Sequence, residues 1–246
     1  MSCLQLGRRS LIPFEEVREY YQSTDMPFIK LIGILHRAVD VLAEWNEYLG
    51  SGEKRSSGYH ILQSISLLDE ALEIWKSGRS NDWGYTESNE LLTDQGSWII
   101  PLLMHPGAPA VIHQYSCLSV AYCWNLYRLL RLVLNRALLT ANDVERQGMG
   151  LPSKPQSIST ITKHVEDICS SVYAHLRGSI PGRYEALQEQ DIVGLRQFLL
   201  FAPLYAVRKC LISFATNPMA KVRLDWVENL LAFLLNLNHP NRSPLS

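Results

Sequence analysis

The chain has 246 residues, 47% of them hydrophobic and 19% charged, with 23 Lys/Arg against 24 Asp/Glu and a formal net charge of −1. That length and apolar content suit a core-forming globular chain and exclude a disordered tail. The balanced total gives no electrostatic case for nucleic-acid binding, although residues 1–123 carry 9 Lys/Arg and 15 Asp/Glu while residues 124–246 carry 14 and 9.

The helical period dominates from the start. A short helix is expected near Glu15 to Gln22. Asp25 then caps a second one with Pro27 in its first turn, whose apolar face is Phe28, Leu31, Ile32, Leu35, Val39, Leu42, Trp45 and Leu49, up to the stop at Gly50-Ser-Gly. The next stripe is Ile61, Ile65, Leu68, Leu72 and Trp75, ending at Gly78. Residues 79–108 read as a long loop folded onto the helices, because Trp83, Tyr85 and Trp98 are too large and apolar for a solvated linker.

A long, largely buried central helix is expected from Ala110 to Thr140, with Tyr115, Leu118, Tyr122, Leu129, Leu132 and Leu139 at heptad-like spacing. Asn125, Arg128, Arg131 and Asn135 form its narrow polar sector. Residues 141–156, with Gly148, Gly150, Pro152 and Pro155, read as a mobile loop. Ser157 caps the following stripe of Ile158, Ile161, Val165, Ile168 and Val172, which Gly178, Pro181 and Gly182 end. A helix kinked by Pro203 follows. The last one begins at Asn217-Pro218, presents Val222, Trp226, Leu230, Phe233, Leu234 and Leu237, and closes at Pro240. The expectation is an all-α fold of about seven helices, one irregular domain over residues 1–246.

Five cysteines, Cys3, Cys117, Cys123, Cys169 and Cys210, are scattered and odd in number, unlike a secreted disulfide framework. The N-terminus lacks an apolar stretch of signal-peptide length, and the run from Phe198 to Val207 is about half a membrane span. An intracellular chain away from membranes is the expectation. The thiols are too far apart for a zinc cluster, and His113 with Cys117, one helical turn apart if both are helical, is the nearest approach to a ligand pair. No phosphate loop, dinucleotide fingerprint, zinc-protease or serine-hydrolase motif is present. Glu166 and Asp167 are adjacent and diverge on a helix, and Cys169, flanked by Ile168 and Val172, reads as a buried thiol rather than a nucleophile. The polar sector around Arg128 has two readings, a stripe paired with Asp69 or Glu73, or a pocket for an anionic ligand, and the first is preferred because buried arginines need acidic partners.

Several words, in order, resemble the regulatory region of fungal binuclear zinc-cluster transcription factors. They are the LLDEALEIW stretch ending at Trp75, then Trp83-Gly-Tyr85, then Tyr115 through Trp124-Asn-Leu-Tyr-Arg128. Val165-Glu-Asp-Ile-Cys-Ser-Ser-Val172, Ala202-Pro-Leu-Tyr-Ala206 and Arg223-Leu-Asp-Trp-Val227 follow. The family's six-cysteine DNA-binding cluster is absent from this sequence, Tyr173 stands where the family has Pro, and Ala202 where it has Trp. The resemblance implies a nuclear, non-catalytic module without cofactor or metal. It would act through a protein partner or self-association, with no direct DNA contact, and would leave room for a small-molecule effector. Its signature positions here are Asp69, Trp75, Trp124, Asn125, Tyr127, Arg128, Asp167, Cys169 and Trp226, each expected to be structural. The alternatives are a stand-alone all-α small-molecule binder or enzyme without a recognisable cofactor motif, and a scaffold or dimerisation subunit.

Overall fold

The computed structural model describes residues 9–10, 12, 14–23, 26–51, 56–89, 100–176, 195–214 and 216–236. The fold is all-α: α1 (Phe14–Ser23), α2 (Pro27–Ser51), α3 (Ser56–Ser77), α4 (Ile100–Leu103), α5 (Leu118–Leu139), α6 (Asp143–Met149), α7 (Lys154–Leu176), α8 (Leu195–Ser213) and α9 (Pro218–Asn236), with one two-stranded sheet. Among the described residues no helix is long and apolar enough to cross a membrane.

Where the sequence suggests one domain, the chain divides into two compact units built from interleaved segments: residues 1–82 with 126–164, and residues 83–125 with 165–246. In the first unit α1 packs on α2, α2 on α3, and α3 on α6. The α3 stripe is the expected one: Ile61, Ile65, Leu68, Leu72 and Trp75 are all buried. On α2 the inner face is narrower than the apolar pattern suggests, since Leu31, Val39 and Trp45 are buried but Phe28 and Leu49 are exposed. Helix α5 is the long buried helix, and every residue from Cys123 to Leu132 is buried.

Residues 141–156 are largely helical rather than a loop, and one side chain explains their order. Arg146, 4% exposed, donates to the carbonyls of Leu138, Ala141 and Pro152. It thereby satisfies carbonyls at the end of α5, where a helix runs out of its own donors, and ties them to the start of α7. Helix α7 starts earlier than the Ser157 cap would place it. Ser153 and Gln156 form a reciprocal capping box, Ser153 N donating to Gln156 Oε1 at 2.8 Å and Gln156 N to Ser153 Oγ at 3.4 Å. Ser157 lies inside the helix and is fully buried.

In the second unit, the expected loop 79–108 and helix start at Ala110 give way to a small sheet. β1 (Tyr85–Ser88) pairs antiparallel with β2 (Ile112–Tyr115), Tyr85 opposite Tyr115 and Glu87 opposite His113. Four-residue strands are too short to display an alternation that a sequence reading could separate from chance. His113 is therefore on a strand and Cys117 lies before α5, so they are not partners on one helical turn.

Helix α8 continues through Pro203, and α9 packs on both α8 and α4. The α9 cap is the expected one, with Met219 N bonded to Asn217 Oδ1 at 2.9 Å. At Gly107 a methyl group would overlap the Val222 carbonyl oxygen and stand 2.8 Å from Trp226 Cβ. The Gly107 carbonyl accepts from Arg223, which also pairs with Glu166 at 2.6 Å. The turn at Gly178, Pro181 and Gly182, Trp98, Cys3, Leu237 and Pro240 lie outside the described residues.

Candidate functional site

Three residues four apart on α5, Tyr127, Arg131 and Asn135, face two residues four apart on α3, Asp69 and Glu73. A spacing of four places each set along one side of its helix. Asn135 Nδ2 donates to Asp69 Oδ1 at 2.8 Å, and Arg131 Nε lies 2.9 Å from the same oxygen. Arg131 also pairs with Glu73 Oε1, which accepts the Tyr127 hydroxyl at 2.7 Å. Arg131 and Asp69 are almost buried, while the Glu73 side chain is 47% exposed.

Burial pushes the Asp69 carboxyl up to about 6 against the opposing charge of Arg131 and the bond from Asn135. Burial also acts to raise Glu73, but the Tyr127 hydrogen bond and the Arg131 charge leave it below its ordinary value. Tyr127 is held well above the usual phenol range, by burial and then by its bond to Glu73. The phenol is thus a fixed donor. Each carboxylate faces a cation of the chain, and the row joins α3 to α5 like a clasp.

The polar sector expected on α5 therefore splits. Arg131 and Asn135 reach Asp69, whereas Asn125 accepts from Ser171 Oγ on α7 at 2.7 Å. Within the expected stripe it is Arg131 that forms salt bridges to Asp69 and Glu73, and Glu73 also pairs with Lys76 on its own helix. Arg128 is 1% exposed. The matching four-residue spacings, 127/131/135 against 69/73, are the signal that could have found the pairing.

The tryptophans of the family-like words tie backbone segments together. Trp75 Nε1 donates to Pro27 O at 2.8 Å, Trp124 Nε1 to Trp83 O at 2.6 Å, and Trp226 Nε1 to Leu102 O at 2.8 Å. Trp75 also stacks on Tyr127, with ring centroids 5.7 Å apart. Tyr85 packs against His113 at 4.2 Å and meets Trp124 edge-on at 5.5 Å. Asp167 and Cys169 are buried on α7, and burial raises the Cys169 thiol to about 12, which keeps it protonated at neutral pH. Among the described residues no group of three or more His, Cys, Asp or Glu is placed to hold a metal ion.

A separate cavity of about 220 Å³ lies in the first unit, lined by Trp45, Tyr48, Leu49, Gly58, Tyr59, Leu62, Thr140 and Asn142. Trp45 and Tyr48 stack at 5.3 Å, and the Tyr48 ring lies so close to Gly58 that a Cβ there would sit 2.7 Å from it. Comparison with family models, with curated proteins and with solved structures gives no match for this chain.

Proposed function

We propose that the chain is a regulatory and interaction module of the kind found in the non-DNA-binding part of fungal zinc-cluster transcription factors, acting in the nucleus through protein contacts and performing no catalysis. The observation that carries this reading is an exposed apolar seam on α8. Phe198 (71% exposed), Tyr205 (37%) and Ile212 (48%) recur every seven residues, and Phe201 stacks on Tyr205 with centroids 6.2 Å apart. Large apolar side chains aligned on an exposed helix face favour a protein contact over solvent. The near-neutral net charge gives no electrostatic case for phosphate contacts, and on this reading DNA would be reached through a partner.

The test fuses the chain to a heterologous DNA-binding domain and measures a reporter gene. The tethered chain should alter reporter output, and the double variant Phe198→Asp/Tyr205→Asp should abolish the effect while keeping its helical circular dichroism. A reporter that does not respond, or a double variant that acts like the parent, would reject the reading.

A further inference from the structure

Among the described residues four tryptophans are buried, and three of them donate the indole N–H to a backbone carbonyl. Trp45 is the exception. It is 5% exposed, its Nε1 is shielded from water, and that N–H has no acceptor among the described residues. Trp45 is also a wall of the 220 Å³ cavity, beside Tyr48 and Tyr59. A buried donor without an acceptor is unfavourable, and native structures rarely retain one without a reason.

We propose that this cavity binds a small neutral aromatic molecule carrying one hydrogen-bond acceptor, such as an aryl ketone, and that a slight turn of the Trp45 ring presents its N–H to that acceptor. The lining decides the class of ligand. Trp45, Tyr48 and Tyr59 supply aromatic surface and Leu49 and Leu62 aliphatic surface, while Thr140 and Asn142 add the polar groups. Among the described lining residues there is no Asp, Glu, Lys or Arg, so none of them would offset the hydration that a charged ligand loses. An organic cation is disfavoured further, because the Arg146 guanidinium already occupies carbonyls at the adjoining end of α5. The volume suits one substituted benzene ring rather than a cofactor. Leu49 and Tyr59, 54% and 37% exposed, leave the cavity reachable from solvent.

The inference is independent of the partner reading, because binding to the isolated chain needs neither a partner nor a reporter. Ligand-observed NMR and calorimetry with acetophenone, ethylbenzene and benzoate separate the possibilities. Acetophenone should bind saturably, ethylbenzene more weakly, and benzoate should not compete. Trp45→Phe keeps the ring and removes the donor, and should weaken acetophenone by about fivefold while leaving ethylbenzene unchanged. If that variant does not fold, Leu49→Trp, at an exposed lining position, should block both neutral ligands. Absence of saturable binding up to about 10 mM, benzoate bound as tightly as acetophenone, or a folded Trp45→Phe protein with unaltered preference would each overturn the proposal.

Discussion

Asp69 Oδ1 accepts a hydrogen bond from Asn135 Nδ2 at 2.8 Å and stands in a salt bridge 2.9 Å from Arg131 Nε, so one carboxylate oxygen of α3 faces two successive turns of α5. Both charged side chains are nearly buried, the circumstance in which an ion pair matters most when one member is lost. Arg131→Ala should therefore destabilise the protein by up to about 3–5 kcal/mol, because Asp69 is left buried without its cation and must either stay charged or take up a proton. Asp69→Ala alone should cost a comparable amount, and the double variant less than the sum of the two. Urea denaturation of the four proteins in the cycle measures the coupling. Additive losses would show that the pair acts as two separate residues.

The same carboxylate gives stability a pH dependence of defined sign. Burial raises Asp69 from 3.8 to about 6, so between those values the folded state keeps a proton that the unfolded state has released. Its contribution to stability is therefore present below the unfolded value and declines as pH rises through about 6. Glu73, lowered from 4.5, acts in the opposite direction below that value, and its exposure keeps the effect small. The stability difference between the parent and Asp69→Asn should fall between about pH 4 and about pH 6 and then level off. A difference that rises over that interval would mean Asp69 titrates as a stabilised carboxylate.

Arg146 is a planar fork serving three carbonyls, a geometry that lysine does not reproduce. Arg146→Lys should lower the melting temperature nearly as far as Arg146→Ala, with losses of about 2–4 kcal/mol from unmet carbonyls and lost packing. Amides of residues 141–152 should exchange faster in both variants. Full rescue by lysine would reduce the role of Arg146 to its charge.

Gly107→Ala should be far more damaging than its size suggests, because the obstacles are the backbone oxygen of Val222 and the Cβ of Trp226 rather than a flexible tip. A loss of about 2–4 kcal/mol is expected, accompanied by weakening of the Trp226–Leu102 hydrogen bond. Near-ultraviolet circular dichroism and thermal melting report the two effects. A variant that melts with the parent would show that the segment around residue 107 has room to move.

The helices themselves were the legible part of the sequence. Apolar residues on α3 and α5 recur at a spacing that only a helix places on one side, and the Asn217-Pro218 start of α9 carries its own cap. The sheet was illegible because Tyr85–Ser88 finds its partner in Ile112–Tyr115, a non-local pairing that no short hairpin turn announces. Residues 141–156 looked like a loop because their glycines and prolines were visible, whereas the anchoring role of Arg146 depends on three carbonyls that have no sequence signature. The clasp was half legible. The words that resemble the family offered Asp69 and Glu73 as acidic candidates facing a four-residue polar stripe on α5, but which members of that stripe reach them follows from helix rotation.

The three indole-to-carbonyl bonds also give the molecule built-in spectroscopic probes. Each joins a helix to a different stretch of backbone: Trp75 to Pro27, Trp124 to Trp83, and Trp226 to Leu102. Indole N–H resonances fall in an uncrowded region of a proton–nitrogen spectrum, and a bonded, buried N–H exchanges slowly with deuterium. The order in which these three signals fade in deuterated buffer would rank which backbone tie opens first, without any label attached to the chain.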